Sequence, residues 1–221
     1  SYELEHELHR AGKDERLDRV QDISEIADIH YIRQKERNGL GDAVLYAKKH
    51  VGNNPFALLL GDTIIQSEVT CTERLIEYAE VHGTSTISLE RVSRDKVSSY
   101  GIADAEGDTG GDRSFPITDL IEKPSPETAP SNLAITGRYI LTPDVFDHLE
   151  DTEPGVGNEL QLTDAIRKLD GIRGVELQGD RFDIGTIIDW LQANVEMALK
   201  HDDGKMNEAV EKLLQEQLED V

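Results

Sequence analysis

Two aspartates in this sequence lie beside apolar segments, at positions suited to binding a ligand. Asp62 comes after Phe56–Leu60 and a glycine in NPFALLLGDTII. A carboxylate directly after a strand buried on both faces points into the crevice at the carboxyl end of an α/β sheet, although it can also cap a helix or close a turn. Asp183, in GDRFDIGTIIDW, precedes a predicted helix. Two such carboxylates from distant strands would suit Mg²⁺, with water and phosphate oxygens completing its shell.

A glycine-bearing loop and a Glu-Lys pair are two further candidates. The loop QKERNGLG runs from Gln34 to Gly41. Gly39 and Gly41 allow close backbone approach to a base or a phosphate, and the Gln34 amide can pair with a nucleobase edge, although a plain turn explains the same residues. Glu122 and Lys123 end the segment ITDLI. The lysine can bind a phosphate, and the glutamate can accept hydrogen bonds from sugar hydroxyls. Alternatively, the two side chains form a surface ion pair.

Hydrophobic periodicity predicts the elements that must position these residues. In the first half, a helical segment (1–22) precedes an alternation of strands and helices, which implies right-handed crossovers and a parallel sheet: strand 26–32, helix 43–51, strand 56–60, helix 72–83 and strand 84–92. The second half adds a hairpin with a glycine-rich tip (101–113), strands in FPITDLIEKP and SNLAITGRYILT, a helix at 159–169, a strand pair in GVELQGDRFDIG, and amphipathic helices at 187–199 and 206–221.

Charge is the unusual global property of the chain. In 221 residues, 45 Asp plus Glu against 23 Lys plus Arg give a formal net charge of -22. Such a field repels nucleic acid and anionic lipid, so neither is expected as a partner. An acidic partner-facing surface and adaptation to high salt both explain it, and we favour salt adaptation. With no apolar stretch typical of a membrane span or a signal peptide, we expect a cytoplasmic location. The single cysteine, Cys71, is interpreted as a small buried hydrophobe.

The order of these motifs resembles the sugar-1-phosphate nucleotidyltransferase family, and within it the bacterial and archaeal UTP-glucose-1-phosphate uridylyltransferases. The resemblance runs from about residue 29 to 199. The stretches that carry it are QKERNGLGDAV, NPFALLLGDTII, VSSYGI, IEKP, SNLAITGRYIL, PGVGNELQLTDAI and RFDIGTIIDWLQANVEMAL. It implies a Rossmann-like, mostly parallel mixed α/β sheet of the nucleotide-diphospho-sugar transferase type, with an antiparallel extension on the sugar side and C-terminal helices.

The resemblance also implies a role for each candidate residue. Asp62 and Asp183 would bind Mg²⁺ as the cofactor, and Lys123 would position a phosphate. The nucleotide-binding positions would be Gln34, Gly39 and Gly41, and the sugar-binding positions Tyr100, Gly101, Glu122 and Ile135. Glu159 is interpreted as the first residue of a helix, and a contact between its side chain and the sugar is left open. The implied reaction joins UTP and glucose 1-phosphate by in-line attack on the α-phosphorus, with release of pyrophosphate.

Several positions depart from the family pattern. Members carry an N-terminal strand and a glycine-rich loop with arginine and lysine that grips the triphosphate, and the present residues contain no such segment. We therefore expect an N-terminal truncation and an inactive chain in isolation. Asp42 stands where a histidine is common, and Thr63 where a second acidic residue often follows. Lys35 and Arg37 replace small residues or proline in the base-reading loop.

Two other functions stay open at this point. One is a nucleotidyltransferase that uses dTTP or another sugar phosphate, because uracil and thymine present the same hydrogen-bonding edge. The other is a non-catalytic sugar-phosphate-binding or assembly module, which would have no need for two convergent carboxylates. We expect a nucleotidyltransferase domain at 1–202 and an amphipathic helix at 203–221 that suits contacts in a homo-oligomer, a dimer or tetramer.

Overall fold

A computed structural model describes residues 2–105, 114–200 and 205–219 of the chain. It forms two compact units, residues 1–35 and 36–221. The first unit contains helices α1 (Tyr2–Arg10) and α2 (Asp14–Glu25), as predicted. The strand predicted at 26–32 is wrong, because that segment has neither helix nor strand and no described strand pairs with it. Alternating side chains form a strand only where a neighbour satisfies the backbone groups.

The second unit consists of seven helices and eight strands among its described residues. In chain order they are α3 (Leu40–Leu45), α4 (Lys48–Val51), β1 (Phe56–Leu59), β2 (Thr63–Gln66), α5 (Cys71–His82), β3 (Thr86–Arg91), β4 (Gly101–Ala105), β5 (Ser114–Glu122), β6 (Leu133–Leu141), α6 (Val145–Glu150), α7 (Leu162–Ile166), β7 (Arg173–Glu176), β8 (Asp180–Asp183), α8 (Ile187–Leu199) and α9 (Lys205–Glu219). Short 3₁₀ turns occupy Arg94–Ser99 and Val156–Asn158.

Six strands form the central sheet in the order β1, β6, β3, β7, β5, β4. The expected mixed α/β class is confirmed, and four strands (β1, β3, β4 and β7) share one direction. The only parallel pair among the described strands is β3 with β7, because the antiparallel β6 lies between β1 and β3. β4 also pairs with β6, and the β4–β5 pair is the predicted antiparallel extension. The glycine-rich tip predicted for that hairpin falls at 106–113, outside the described residues.

Helices cover both faces of this sheet. Tyr139 and Leu141 of β6 face a core shared with α3, α6 and α7, whereas Ile140 faces Leu75 and Cys71 of α5. This alternation follows from the two-residue period of a strand. Cys71 is a buried free cysteine, as interpreted from the sequence. α5 begins with Thr70, whose Oγ1 accepts a hydrogen bond from the Glu73 amide, a cap that stabilises a helix by about 1 kcal/mol.

Three further predictions needed correction. β1 is not buried on both faces, since Ala57 and Leu59 are exposed at the edge of the sheet. The helix expected at 159–169 is shorter, Leu162–Ile166, and the strands β7 and β8 do not pair with each other. The helix α9 is present within the predicted C-terminal segment, although several of its predicted apolar side chains lie outside the described residues. The boundary at residue 202 stays a prediction.

Candidate active site

A small two-stranded sheet brings Asp62 and Asp183 together. β2 and β8 pair antiparallel with Thr63 opposite Asp183, and the Ile184 amide donates to the Asp62 carbonyl at 2.8 Å. Both carboxylates lie near Gly185: a Cβ atom built on that glycine would be 3.1 Å from Asp183 Oδ1 and 3.8 Å from Asp62 Oδ2. The two carboxylates predicted to converge therefore do so, although their 121-residue separation in the chain is large.

These carboxylates lie in a cavity of about 280 Å³ beside the end of β5 and the middle of β6. Seven predicted site residues line it: Asp62, Tyr100, Gly101, Glu122, Lys123, Ile135 and Asp183. A larger cavity of about 500 Å³ lies on the opposite face of β6, against α5, and most of its lining is apolar. Because a catalytic site needs a few convergent polar groups, we assign the site to the smaller cavity.

Glu122 is held at the end of β5 by close packing. Its side chain is 13 % exposed, and Thr163 Oγ1 donates to its Oε2 at 2.6 Å. Gly101 lies opposite it on β4, where a Cβ atom would come within 3.1 Å of Glu122 Oε2 and of Thr163 Oγ1 and 2.9 Å of Ile135 Cδ1. A side chain at 101 would therefore force these neighbours to shift.

Lys123 has an unusual backbone conformation for its residue type. Its φ is +46°, in the left-handed region, and its amide donates to the Tyr100 carbonyl at 3.0 Å. Non-glycine residues in this region store about 1 kcal/mol of strain, and such residues cluster at functional sites. The half-exposed ammonium lies 3.8 Å from Glu122 Oε1. The lysine thus extends into the cavity from a position that the surrounding backbone fixes.

The predicted glycine loop contacts its own chain. Asn38 accepts a hydrogen bond from the Leu160 amide at 2.7 Å, and the Gly41 amide donates to the Leu160 carbonyl at 2.9 Å. A Cβ atom on Gly39 or Gly41 would lie within 2.8 Å of atoms in residues 159 and 160 or of Leu149. The close approach that these glycines permit is made, in this structure, by the segment that leads into α7.

Glu159, predicted for the sugar site, and Gln34, predicted for the nucleotide site, are not among the residues that line the cavity. Glu159 is not a helix-start residue, because α7 begins three residues later, and its Cβ lies against Gly39 rather than in the cavity lining. Residues 159–161 link the 3₁₀ turn to α7, and Glu159 and Gln161 have extended backbone where the first turn of a helix was expected. Gln34 belongs to the N-terminal unit, and its role stays a prediction.

Sequence reasoning missed six polar residues that line the same cavity: Ser99, Thr136, Tyr139, Gln161, Thr163 and Arg181. Burial, with smaller contributions from the negative charges of Glu122 and Asp62, raises the pKa of the Tyr139 phenol, so this hydroxyl stays protonated at neutral pH. Tyr139 is in SNLAITGRYIL and Thr163 in ELQLTDAI, two of the motifs that carry the family resemblance, and this was the available signal. Arg181 likewise opens the motif RFDIGTIIDWLQANVEMAL, but nothing in its spacing distinguished it from other arginines.

The donor set fits a hard divalent cation. Asp62 and Asp183 supply carboxylate oxygens, the ligand type that Mg²⁺ prefers. Asp183 Oδ1 accepts one hydrogen bond from the Gly185 amide and Oδ2 one from Arg181, and each oxygen keeps a second lone pair. Among the described residues, no cluster of three or more His, Cys, Asp or Glu side chains is arranged around one point. Two protein ligands would leave most of the coordination shell to water and substrate oxygens.

Comparisons with known proteins identify the family of this chain. The family model for nucleotidyl transferases matches residues 6–200. A UTP–glucose-1-phosphate uridylyltransferase of Staphylococcus haemolyticus is 42 % identical over 217 residues, which are 97 % of this chain and 74 % of that protein.

None of the helices within the described ranges is long and apolar enough to cross a bilayer.

Two solved structures of UDP-glucose pyrophosphorylases are similar to this chain in fold. A UTP-bound UDP-glucose pyrophosphorylase of Acinetobacter baumannii superposes with a TM-score of 0.83 at 32 % identity, covering 98 % of this chain and 75 % of that one. A UDP-glucose pyrophosphorylase complexed with UDP-glucose superposes with a TM-score of 0.78 at 35 % identity, covering 86 % and 73 %.

Proposed function

The chain belongs to the nucleotidyl transferase family, and from this premise we propose that it joins UTP and glucose 1-phosphate to give UDP-glucose and pyrophosphate. A phosphate oxygen of glucose 1-phosphate attacks the α-phosphorus of UTP in line. The new oxygen–phosphorus bond forms as the bond to the β-phosphate oxygen breaks, and pyrophosphate leaves with the electron pair. The observation that carries the proposal is the convergence of Asp62 and Asp183 in one cavity with Glu122 and Lys123.

Asp62 and Asp183 are the proposed Mg²⁺ ligands. When bound, the cation would neutralise phosphate charge and stabilise the charge that develops on the leaving pyrophosphate. The two aspartates come from a loop and a strand end that the β2–β8 ladder holds together, so their spacing is fixed before substrate binds. This preorganisation avoids a reorganisation cost in the transition state.

Lys123 is the proposed phosphate-positioning residue. Two anionic substrates repel each other, and a point positive charge between them lowers that repulsion. Among the described residues, the only ion pair of Lys123 is the 3.8 Å contact of its Nζ with Glu122 Oε1. At that distance the ammonium is free to exchange its partner for a phosphate oxygen.

The sugar is proposed to bind against Glu122, Tyr100, Gly101 and Ile135. Thr163 occupies Oε2 of Glu122, which leaves Oε1 to accept a hydrogen bond from a sugar hydroxyl. Ile135 gives the apolar surface and Gly101 the space beside it. For the base, Gly39 and Gly41 remain the proposed contacts, and the Gly41 amide donates to the Leu160 carbonyl. The role of Gln34 stays a prediction from the sequence.

Because the present residues are expected to be inactive in isolation, pyrophosphate release from UTP, glucose 1-phosphate and Mg²⁺ is measured in a chain that also carries the family's N-terminal phosphate-binding loop, and this measurement tests the proposal. The kinetic variants below are made in that longer chain. We expect Asp62→Asn and Asp183→Asn each to lower the rate at least about a hundredfold, because each removes a charged ligand. Asp180→Asn is the matched control, since Asp180 lies on the same strand as Asp183 but forms an exposed pair with Lys200 at 2.6 Å. A wild-type rate in either ligand variant would overturn the assignment of that carboxylate.

Binding of UDP-glucose, measured by calorimetry, gives a readout that does not require turnover. The wild-type chain is expected to bind UDP-glucose more tightly than glucose 1-phosphate or UMP alone, since UDP-glucose carries the groups that both proposed sites would recognise. A longer chain that folds but neither releases pyrophosphate nor binds UDP-glucose would be better explained as a non-catalytic module, and the proposal would then be wrong.

Two coarser properties complete the proposal. The net charge of -22 supports adaptation to high salt, where screening weakens self-repulsion. Activity and melting temperature should therefore rise between low and molar KCl.

A homo-oligomer is proposed because Ile187 and Ile188 at the start of α8 are 85 % and 77 % exposed, an apolar surface that contact between copies would cover. Light scattering that gives only the monomer mass would contradict it.

A further inference from the structure

Arg181 on β8 is a buried cation with four polar contacts. Its side chain is only 9 % exposed. The guanidinium donates to Glu90 through Nε at 2.6 Å and through Nη2 at 3.3 Å, to Asp183 Oδ2 through Nη1 at 3.3 Å, and to the Tyr100 hydroxyl at 3.3 Å. Its central carbon also lies 5.0 Å from the centre of the Tyr100 ring. One side chain therefore contacts residues proposed to bind the metal and the sugar.

A buried charge of this kind needs compensation. Moving an arginine out of water costs several kcal/mol, which hydrogen-bonded partners must offset. Burial by itself lowers the pKa of Arg181, but its hydrogen bonds with Glu90 and Tyr100 raise that pKa by more than burial lowers it, so the group stays charged. The fork-like pairing with Glu90 uses the planar geometry that distinguishes arginine from lysine.

The position of Arg181 in the topology explains what this pairing achieves. β8 pairs only with β2 among the described strands, so the small sheet that holds both proposed metal ligands is separate from the central sheet. Glu90 lies on β3 in the middle of the central sheet, and Tyr100 precedes β4. The Arg181–Glu90 pair thus joins the two sheets directly beside the cavity.

We infer that Arg181 is a positioning residue that sets Asp183 relative to Tyr100, with Glu90 as the anchor of its guanidinium. The inference rests on the proposed function. Arg181 acts by holding Asp183 Oδ2 and the Tyr100 hydroxyl on one rigid group, so that the metal-binding carboxylate and the sugar side of the cavity keep a constant spacing. Partners of this kind, one shell behind a metal ligand, typically change metal affinity or activity about 10- to 100-fold when replaced.

Arg181→Lys is the decisive variant, because it keeps the charge but cannot contact Glu90, Asp183 and Tyr100 together. Mn²⁺ affinity, followed by electron paramagnetic resonance in the presence of UDP-glucose, should fall about tenfold or more, and kcat should fall with it. The melting temperature should change little by comparison. Arg91→Lys is the matched control, since Arg91 forms an exposed pair with Glu176 at 3.1 Å, and it should leave Mn²⁺ affinity unchanged.

Glu90→Gln gives a second, independent test if Arg181→Lys does not fold. It keeps the guanidinium and removes the charge of its anchor, and the same loss of Mn²⁺ affinity is expected. Tyr100→Phe should weaken glucose 1-phosphate binding, and its effect should be smaller in the Arg181→Lys background than in the wild type, because the two changes remove the same contact.

The outcomes separate the two proposals. A wild-type chain that binds neither UDP-glucose nor Mn²⁺ would overturn the proposed function and this inference with it. A wild-type chain that binds both, with wild-type Mn²⁺ affinity in folded Arg181→Lys or Glu90→Gln protein, would overturn the positioning role alone. A variant that loses melting temperature but keeps affinity would likewise show that Arg181 only supports the fold.

Discussion

Thr163 Oγ1 donates a 2.6 Å hydrogen bond to Glu122 Oε2, which links α7 to the end of β5. In Thr163→Val the carboxylate loses this partner while shape is kept, so the free energy of unfolding should fall by about 1–3 kcal/mol. The KM for glucose 1-phosphate should rise about tenfold, because Glu122 is no longer oriented toward the sugar. Steady-state kinetics measure this, with Thr163→Ser as the control that keeps the hydroxyl. Equal KM values in both variants would exclude the orienting role.

Gly101→Ala should destabilise the protein by about 1–3 kcal/mol through overpacking. The added methyl group would lie 2.9 Å from Ile135 Cδ1 and 3.1 Å from Glu122 Oε2. Gly61→Ala is the steric control, since a Cβ atom there meets nothing within 4 Å. Urea unfolding of the two variants should differ by at least about 1 kcal/mol, and equal stabilities would show that the cavity relaxes around position 101.

Replacement of Lys123 should separate stability from activity. Because φ is +46° at this position, Lys123→Gly relieves backbone strain that Lys123→Ala keeps. We expect the glycine variant to be more stable than the alanine variant by about 1 kcal/mol in chemical unfolding. Both should lose at least about a hundredfold in pyrophosphate release, since both lack the ammonium. Retained activity in either variant would remove Lys123 from the mechanism.

Tyr139 should make the stability of the protein fall in alkaline solution. Burial, assisted by Glu122 and Asp62, raises the pKa of its phenol above the ordinary value of 10.0. In the unfolded chain the phenol loses its proton near pH 10, while the folded state keeps it. The unfolded state therefore binds fewer protons above pH 10, and the free energy of unfolding decreases by up to about 1.4 kcal/mol per pH unit.

Tyr139→Phe should remove this alkaline slope. Urea unfolding between pH 8 and 11 measures it, with Tyr31→Phe as the control because Tyr31 is 93 % exposed in the folded state. A slope that persists in Tyr139→Phe, or that disappears in the control, would assign the alkaline loss of stability to another group.

The sequence supports prediction of the site better than of the strand pairing. Asp62 could be found because it follows an apolar run, and the end of a strand has a defined place in an α/β fold. Asp183 could be found because it lies just before the Gly-Thr that starts a helix. The role of Arg181 could not be found, because its partner Glu90 is 91 residues away and only the fold shows that the two are in contact. Alternation at 26–32 predicted a strand wrongly, since periodicity shows which faces differ and not whether a partner strand exists.

The register of Thr63 opposite Asp183 has a consequence for how this site tolerates change. Side chains alternate along a strand, so a slip of one residue between β2 and β8 would turn Asp183 to the other side of the ladder instead of moving it slightly. The separation of the two carboxylates is therefore discrete. Insertions in the loops outside this ladder can accumulate without altering it, whereas a single residue added within β2 or β8 would abolish the pair in one step.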